Sequence, residues 1–97
     1  MITIRKLLWD SKNVSHIARH NVIPEEVEAV CHGSPLVLVG QQKKRLILVG
    51  PTEEKRILTV VLQTRGYGVY YPVTAYDASA GTIALYNRLR GGEINNE

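Results

Sequence analysis

Three histidines, five tyrosines and a scatter of arginines and lysines are the side chains of this 97-residue sequence best suited to chemistry. His16 and His20 stand four residues apart, so a helix through them places both imidazoles on one face. Such a pair can hold a metal or move protons near neutral pH. The metal alternative lacks a third ligand. There is no HExxH, and Cys31 and His32, as neighbours on a helix, point in different directions. Capping and packing are the ordinary duties of helix-face histidines. No nucleophile elbow, phosphate-cradling glycine loop or carboxylate dyad is present. Gly66-Tyr67-Gly68 is too short for a dinucleotide fingerprint and lies between two strand-like segments. The sequence thus predicts neither a metal nor a cofactor.

What remains is a set suited to RNA. Cations neutralise phosphates, aromatic rings stack on unpaired bases, and imidazole exchanges protons. Metal-free RNA cleavage needs a proton acceptor for the attacking 2′-hydroxyl and a donor for the leaving oxygen. It also needs positive charge beside the phosphate. His16 or His20 is the candidate acid or base, Arg65 the candidate phosphate clamp, and Tyr76 a hydrogen-bonding or stacking group. Lys43, Lys44, Arg45 and Tyr86 are candidate substrate contacts. A plainer account exists for each: tyrosines at period two are ordinary strand residues, and loop cations guard strand ends against edge pairing.

These residues must be positioned by a mixture of short elements. Ile2 to Trp9 reads as a first strand. Asp10 or Ser11 can cap a helix whose buried stripe is Val14, Ile17 and Ala18, ending near His20 with Asn21 in the left-handed conformation. Pro24 suits the first position of a second helix, with Glu25 and Glu26 in its favoured first turn, core residues Val27, Val30 and Cys31, and Gly33 as the stop. From Ser34 the period changes. Leu36 to Val39, Leu46 to Val49 and Ile57 to Leu62 predict an antiparallel meander, and Val69 to Tyr76 a fourth strand in which Pro72 demands an edge or a bulge. Asp77 or Ser79 caps a last helix to about Arg90, stopped by Gly91-Gly92. Residues 1–92 then form one domain, and 93–97 a frayed tail.

Composition agrees with one ordinary globular domain: 44% hydrophobic, 22% charged and only 4 Pro exclude a disordered chain. No run of about 18 apolar residues predicts a membrane span, the first ten residues lack a signal-peptide pattern, and one cysteine fits a reducing compartment. A cytoplasmic location is the expectation. The net charge of +3 permits phosphate contact without requiring it, and the excess lies in the downstream clusters Lys43-Lys44-Arg45, Lys55-Arg56 and Arg65. The middle strands are nearly continuous in apolar residues, the pattern of a sheet covered on both faces. That predicts burial of some sheet or edge surface by another chain, either a dedicated protein partner or a second copy forming a homodimer.

The text Trp9-Asp10-x-x-Asn13-x-x-His16-Ile17-Ala18-Arg19-His20-x-Val22, followed by Pro24-Glu25-Glu26-Val27, resembles the start of the BrnT-type toxins of bacterial type II toxin–antitoxin operons. The Arg65-Gly66 turn and Val73-Thr74-Ala75-Tyr76, followed by a helix with Leu85-Tyr86, resemble that family's second half, so the likeness runs from about Leu7 to Arg90. It implies a RelE-like α+β fold: an antiparallel sheet of four to five strands with two N-terminal helices and one C-terminal helix. It also implies a ribonuclease, free or ribosome-associated, that inhibits translation and is neutralised by a cognate antitoxin. Two positions depart from the family. Tyr76 stands where many members carry an arginine, and Asn21 where a glycine usually follows the helix-ending histidine. Loss of that arginine opens the alternative of a toxin-like domain that binds a protein or RNA without cutting.

Overall fold

Asp10 starts the first helix by a reciprocal device. Its carboxylate accepts from the Asn13 backbone N–H at 2.9 Å, while the Asn13 side chain accepts from the Asp10 N–H at 2.9 Å, satisfying two donors that a helix start leaves unpaired. The computed structural model describes residues 3–39 and 44–95, with the side chains of 3–38 and 44–89. Helix α1 spans Ser11–Ala18 and α2 spans Pro24–His32; between them Asn21 takes φ 59, as its sequence position predicts. Strand β1 is Lys6–Leu7, followed after the helices by β2 (Leu36–Val39), β3 (Arg45–Pro51), β4 (Ile57–Thr64), β5 (Val69–Asp77) and helix α3 (Ala80–Asn95). Lys43 lies outside the described residues.

The sheet order is β1-β5-β4-β3-β2. β2 to β5 form the expected antiparallel meander, but the sheet is mixed: β1 pairs in parallel with β5, Lys6 opposite Val69 and Leu7 opposite Tyr70. The regular part of the first strand is also shorter than the Ile2 to Trp9 run predicts, because the chain turns away at Leu8 to enter α1. Packing α1 and α2 on one face buries Ile17, Val22, Val27, Val30 and Cys31 against Leu48, Leu58, Val60, Leu62 and Ala75. Each fully buried Val or Leu contributes about 1.5–3 kcal/mol relative to exposure. The residues facing the other way, Val49 and Thr59, are buried as well, and α3 lies against β3. The expected α1 stripe needs correction: Ile17 is buried, but Val14 and Ala18 are exposed and Asn13 takes the inward position instead. The Asn13 amide can be buried because it donates to the carbonyls of Leu8 at 2.9 Å and Pro72 at 3.1 Å.

Pro72 sits where its missing N–H is harmless, at an irregularity of β5. Gln63 pairs with Tyr71 and Leu62 with Pro72, but Val61 pairs with Thr74, so Val73 is an extra residue. Ser79, not Asp77, caps α3, accepting from the Thr82 N–H at 3.2 Å. That helix runs through Gly91-Gly92 to Asn95, where the sequence predicts a stop; glycine favours left-handed caps but does not forbid helical backbone, at about 1 kcal/mol per residue. No helix among the described residues is long and apolar enough to cross a membrane.

Candidate functional site

α1 lies along β5, so its two ends meet two different parts of that strand. Its C-terminal end carries the histidines. The rings of His16 and His20 stand 5.8 Å apart, centroid to centroid and edge-on, and the His20 ring is 6.0 Å from that of Tyr76. Both histidines are exposed, and Tyr76 keeps 39% of its surface open to solvent. Three of the four sequence-predicted catalytic residues therefore form one solvent-facing ring cluster, joining positions 56 residues apart in the chain. Its imidazoles and phenol can donate or accept protons at a bound ester. Among the described residues no three His, Cys, Asp or Glu side chains come together as a metal-ligand set.

Arg65 is elsewhere. Its guanidinium carbon sits 5.0 Å over the Tyr71 ring, and the Tyr71 hydroxyl donates to both carboxylate oxygens of Asp10, at 3.2 and 3.0 Å. Tyr71 and Tyr76 pair with Gln63 and Thr59, four residues apart on β4, a span of about 13 Å. The expectation that Arg65, His20 and Tyr76 close on one phosphate is thus not met: the arginine and the histidines occupy opposite ends of one strand. They do share a side. Because Val73 is extra, Tyr71 pairs with Gln63 and Tyr76 with Thr59, and Gln63 and Thr59 face the same way. Asp10 is held below the usual carboxylate range first by the Asn13 backbone N–H and then by Tyr71; the Tyr71 phenol is pushed up by partial desolvation and by Asp10.

The other predicted contacts gather with Arg65. The carbonyl of Lys44 accepts from the Thr64 N–H at 2.8 Å, and Arg45 donates from Nε to Gln63 at 3.0 Å, one residue from the hairpin that carries Arg65. Tyr86 lies half-buried on α3.

One residue beside the histidine cluster is not a free loop charge, contrary to its sequence context. Arg56 donates to the carbonyls of His20 at 3.1 Å and Asn21 at 2.7 Å, to both Glu26 carboxylate oxygens at 3.1 and 3.2 Å, and to Asp77 at 2.6 Å. It ties the α1–α2 junction to the end of β5 and so fixes His20 beside Tyr76. Its bond with Asp77 raises the guanidinium further and lowers Asp77. The open carbonyls at the end of α1, two acids in the first turn of α2 and a lone Asp77 are the signal in the sequence that a cation must serve them. Elsewhere, Trp9 donates to Glu28 at 2.9 Å, and Glu28 also meets His32 at 3.0 Å, which accounts for the third histidine. The Cys31 thiol is buried and pushed up to about 12 by desolvation, so it is no nucleophile.

No family model and no curated protein matches the sequence. Among solved structures, the chain is similar to the crystal structure of the Brucella abortus ribonuclease toxin BrnT, with a TM-score of 0.62 and 22% identity, over 79% of this chain and 99% of that one. An α+β mixed sheet carrying two N-terminal helices and one C-terminal helix is therefore the BrnT-type toxin fold.

Proposed function

We propose that this chain is the toxin of a type II toxin–antitoxin pair: a cytoplasmic endoribonuclease that cuts RNA without a metal, inhibits translation, and is silenced by a cognate antitoxin protein. The observation that carries this reading is the solvent-facing His16–His20–Tyr76 cluster on a fold shared with a ribonuclease toxin. In this mechanism one imidazole takes the proton of the 2′-hydroxyl as that oxygen attacks the adjacent phosphorus. The other imidazole or the Tyr76 phenol gives a proton to the departing 5′-oxygen, leaving a cyclic phosphate. The tilted His20–Tyr76 contact holds the imidazole in place.

A second reading has its own support. Arg65, the arginine that the sequence offers as a clamp, stacks on Tyr71, about 13 Å along β5 from Tyr76, and Arg56 is consumed by four protein acceptors. A domain that binds RNA or its protein partner without cutting fits that arrangement. Induced expression decides between them. Growth arrest with fragmented RNA, abolished by His20→Ala in a variant that still folds and relieved by co-expression of the neighbouring gene, supports the nuclease. Intact RNA and normal growth would leave the binding domain.

A further inference from the structure

Tyr67 occupies a place that packing does not explain. It is the tip of the β4–β5 hairpin, flanked by Gly66 and Gly68, and all three residues have positive φ: 92, 58 and 81. For a bulky aromatic that backbone is unfavourable, and the ring recovers nothing from the core, since 92% of the residue is exposed. The turn itself does not need the side chain. It is closed by Arg65 N–H to the Val69 carbonyl at 2.8 Å and Val69 N–H to the Gly66 carbonyl at 3.1 Å.

Cations surround this tip. Arg5 donates its backbone N–H to the Gly68 carbonyl at 2.8 Å and reaches the Tyr67 carbonyl from its guanidinium at 3.4 Å. Gly68 is required for that approach: a Cβ there would lie 2.8 Å from the Arg5 side chain. Lys6 is registered with Val69, Lys44 is bonded through its backbone to Thr64, Arg45 pairs with Gln63, and Arg65 opens the turn. Among the described residues none of these five is in an ion pair; the only arginine that is, Arg56, sits at the other end of the sheet. Asp10, the acid that Tyr71 brings to this end of the sheet, is occupied by Tyr71 and the start of α1.

We infer that the hairpin tip is a binding platform for single-stranded nucleic acid, with Tyr67 stacking on an unpaired base and Arg5, Lys44 and Arg65 holding the adjoining phosphates. An exposed ring amid unpaired cations is the combination that single strands recognise, through stacking and counterion release. This rests on the proposed function only for the choice of RNA as the natural strand.

The test is binding of three fluorescent ligands: a 12-nucleotide single-stranded RNA fully 2′-O-methylated so that it cannot be cut, the DNA equivalent, and poly-glutamate as an acidic protein mimic. The key variant is Tyr67→Gly, which removes the ring and relieves the left-handed backbone. The expected result is binding weakened about tenfold with thermal stability unchanged or raised, while Tyr67→Trp binds as well as the parent. Arg65→Ala should lower the slope of log affinity against log salt by about 0.7. Preference for the methylated RNA or for the DNA identifies the strand, and either supports the platform. Parental binding by Tyr67→Gly, or equally tight binding of poly-glutamate independent of Tyr67, overturns it. Cleavage lost in His20→Ala with strand binding intact leaves the platform standing apart from the nuclease. Absent cleavage in the parent with Tyr67-dependent binding removes the nuclease alone.

Discussion

The two ends of the sheet put their arginines to opposite uses. At the end formed by the α1–α2 junction and the β3–β4 turn, Arg56 has its donors filled by Glu26, Asp77 and two carbonyls, and the clefts beside α2 are lined by Glu25, Glu26, Glu53 and Glu54. At the β4–β5 hairpin end, Arg5, Lys6, Lys44, Arg45 and Arg65 have no carboxylate partner among the described residues. A cation near a candidate site is therefore not yet a ligand for phosphate. What matters is whether its donors are already spent, and Arg56 and Arg65 fall on opposite sides of that line.

Substitutions at each end put the contrast to a measurement. The largest effect belongs to His20→Ala: RNA cleavage by purified protein should fall about 10²–10⁴-fold, the scale of general acid–base catalysis, with the circular dichroism spectrum unchanged. A loss under threefold would remove the ring cluster from the chemistry. Next is Arg56→Met, which strands the His20 and Asn21 carbonyls and two carboxylates. It should cost about 2 kcal/mol in urea unfolding, taking hydrogen bonds to charged groups at 1.5–3 kcal/mol and discounting for partial exposure. The mirror substitution, Arg65→Met, should stay within about 0.5 kcal/mol of the parent, since it gives up only a partly exposed ring contact. Equal costs at the two arginines would erase the distinction.

Acid titration gives a smaller and more selective signal. Asp77 and Asp10 are both held below their ordinary value of 3.8 in the folded chain, Asp77 first by its bond to Arg56 and Asp10 first by the Asn13 N–H. Their contribution is fully present above that value and is lost as pH falls from it through the folded-state pKa, because over that window the unfolded chain binds protons that the folded protein does not. Stability followed by urea midpoint should decline below about pH 3.8. In Arg56→Met the Asp77 share of that decline should vanish, leaving the part due to Asp10.

Much of this frame is written locally. Asp10 and Asn21 bound α1, Pro24 and Gly33 bound α2, and the three apolar runs from Leu36 to Leu62 yield the meander, because caps and turn residues act over a few positions. The parallel docking of β1 on β5 is not written that way; it joins Lys6 to Val69 across the whole intervening chain. The inward Asn13 is equally hidden, since its reason is a carbonyl 59 residues away. For the site, the four-residue spacing of His16 and His20 announces a shared face. The meeting with Tyr76 depends on the long-range seating of α1 against β5. Residue type alone groups Arg65 with them, and the length of β5 keeps it apart.

The extra residue at Val73 makes β5 behave as two short strands joined out of step. Removing that one position would restore an unbroken two-residue alternation with Pro72 still opposite Leu62 and Ala75 still opposite Val60, so both would go on facing the core. The bulge is thus a slack link in the strand: one residue can be lost between Pro72 and Ala75 with every paired neighbour still looking the same way, whereas a loss elsewhere in β5 shifts residues against β4.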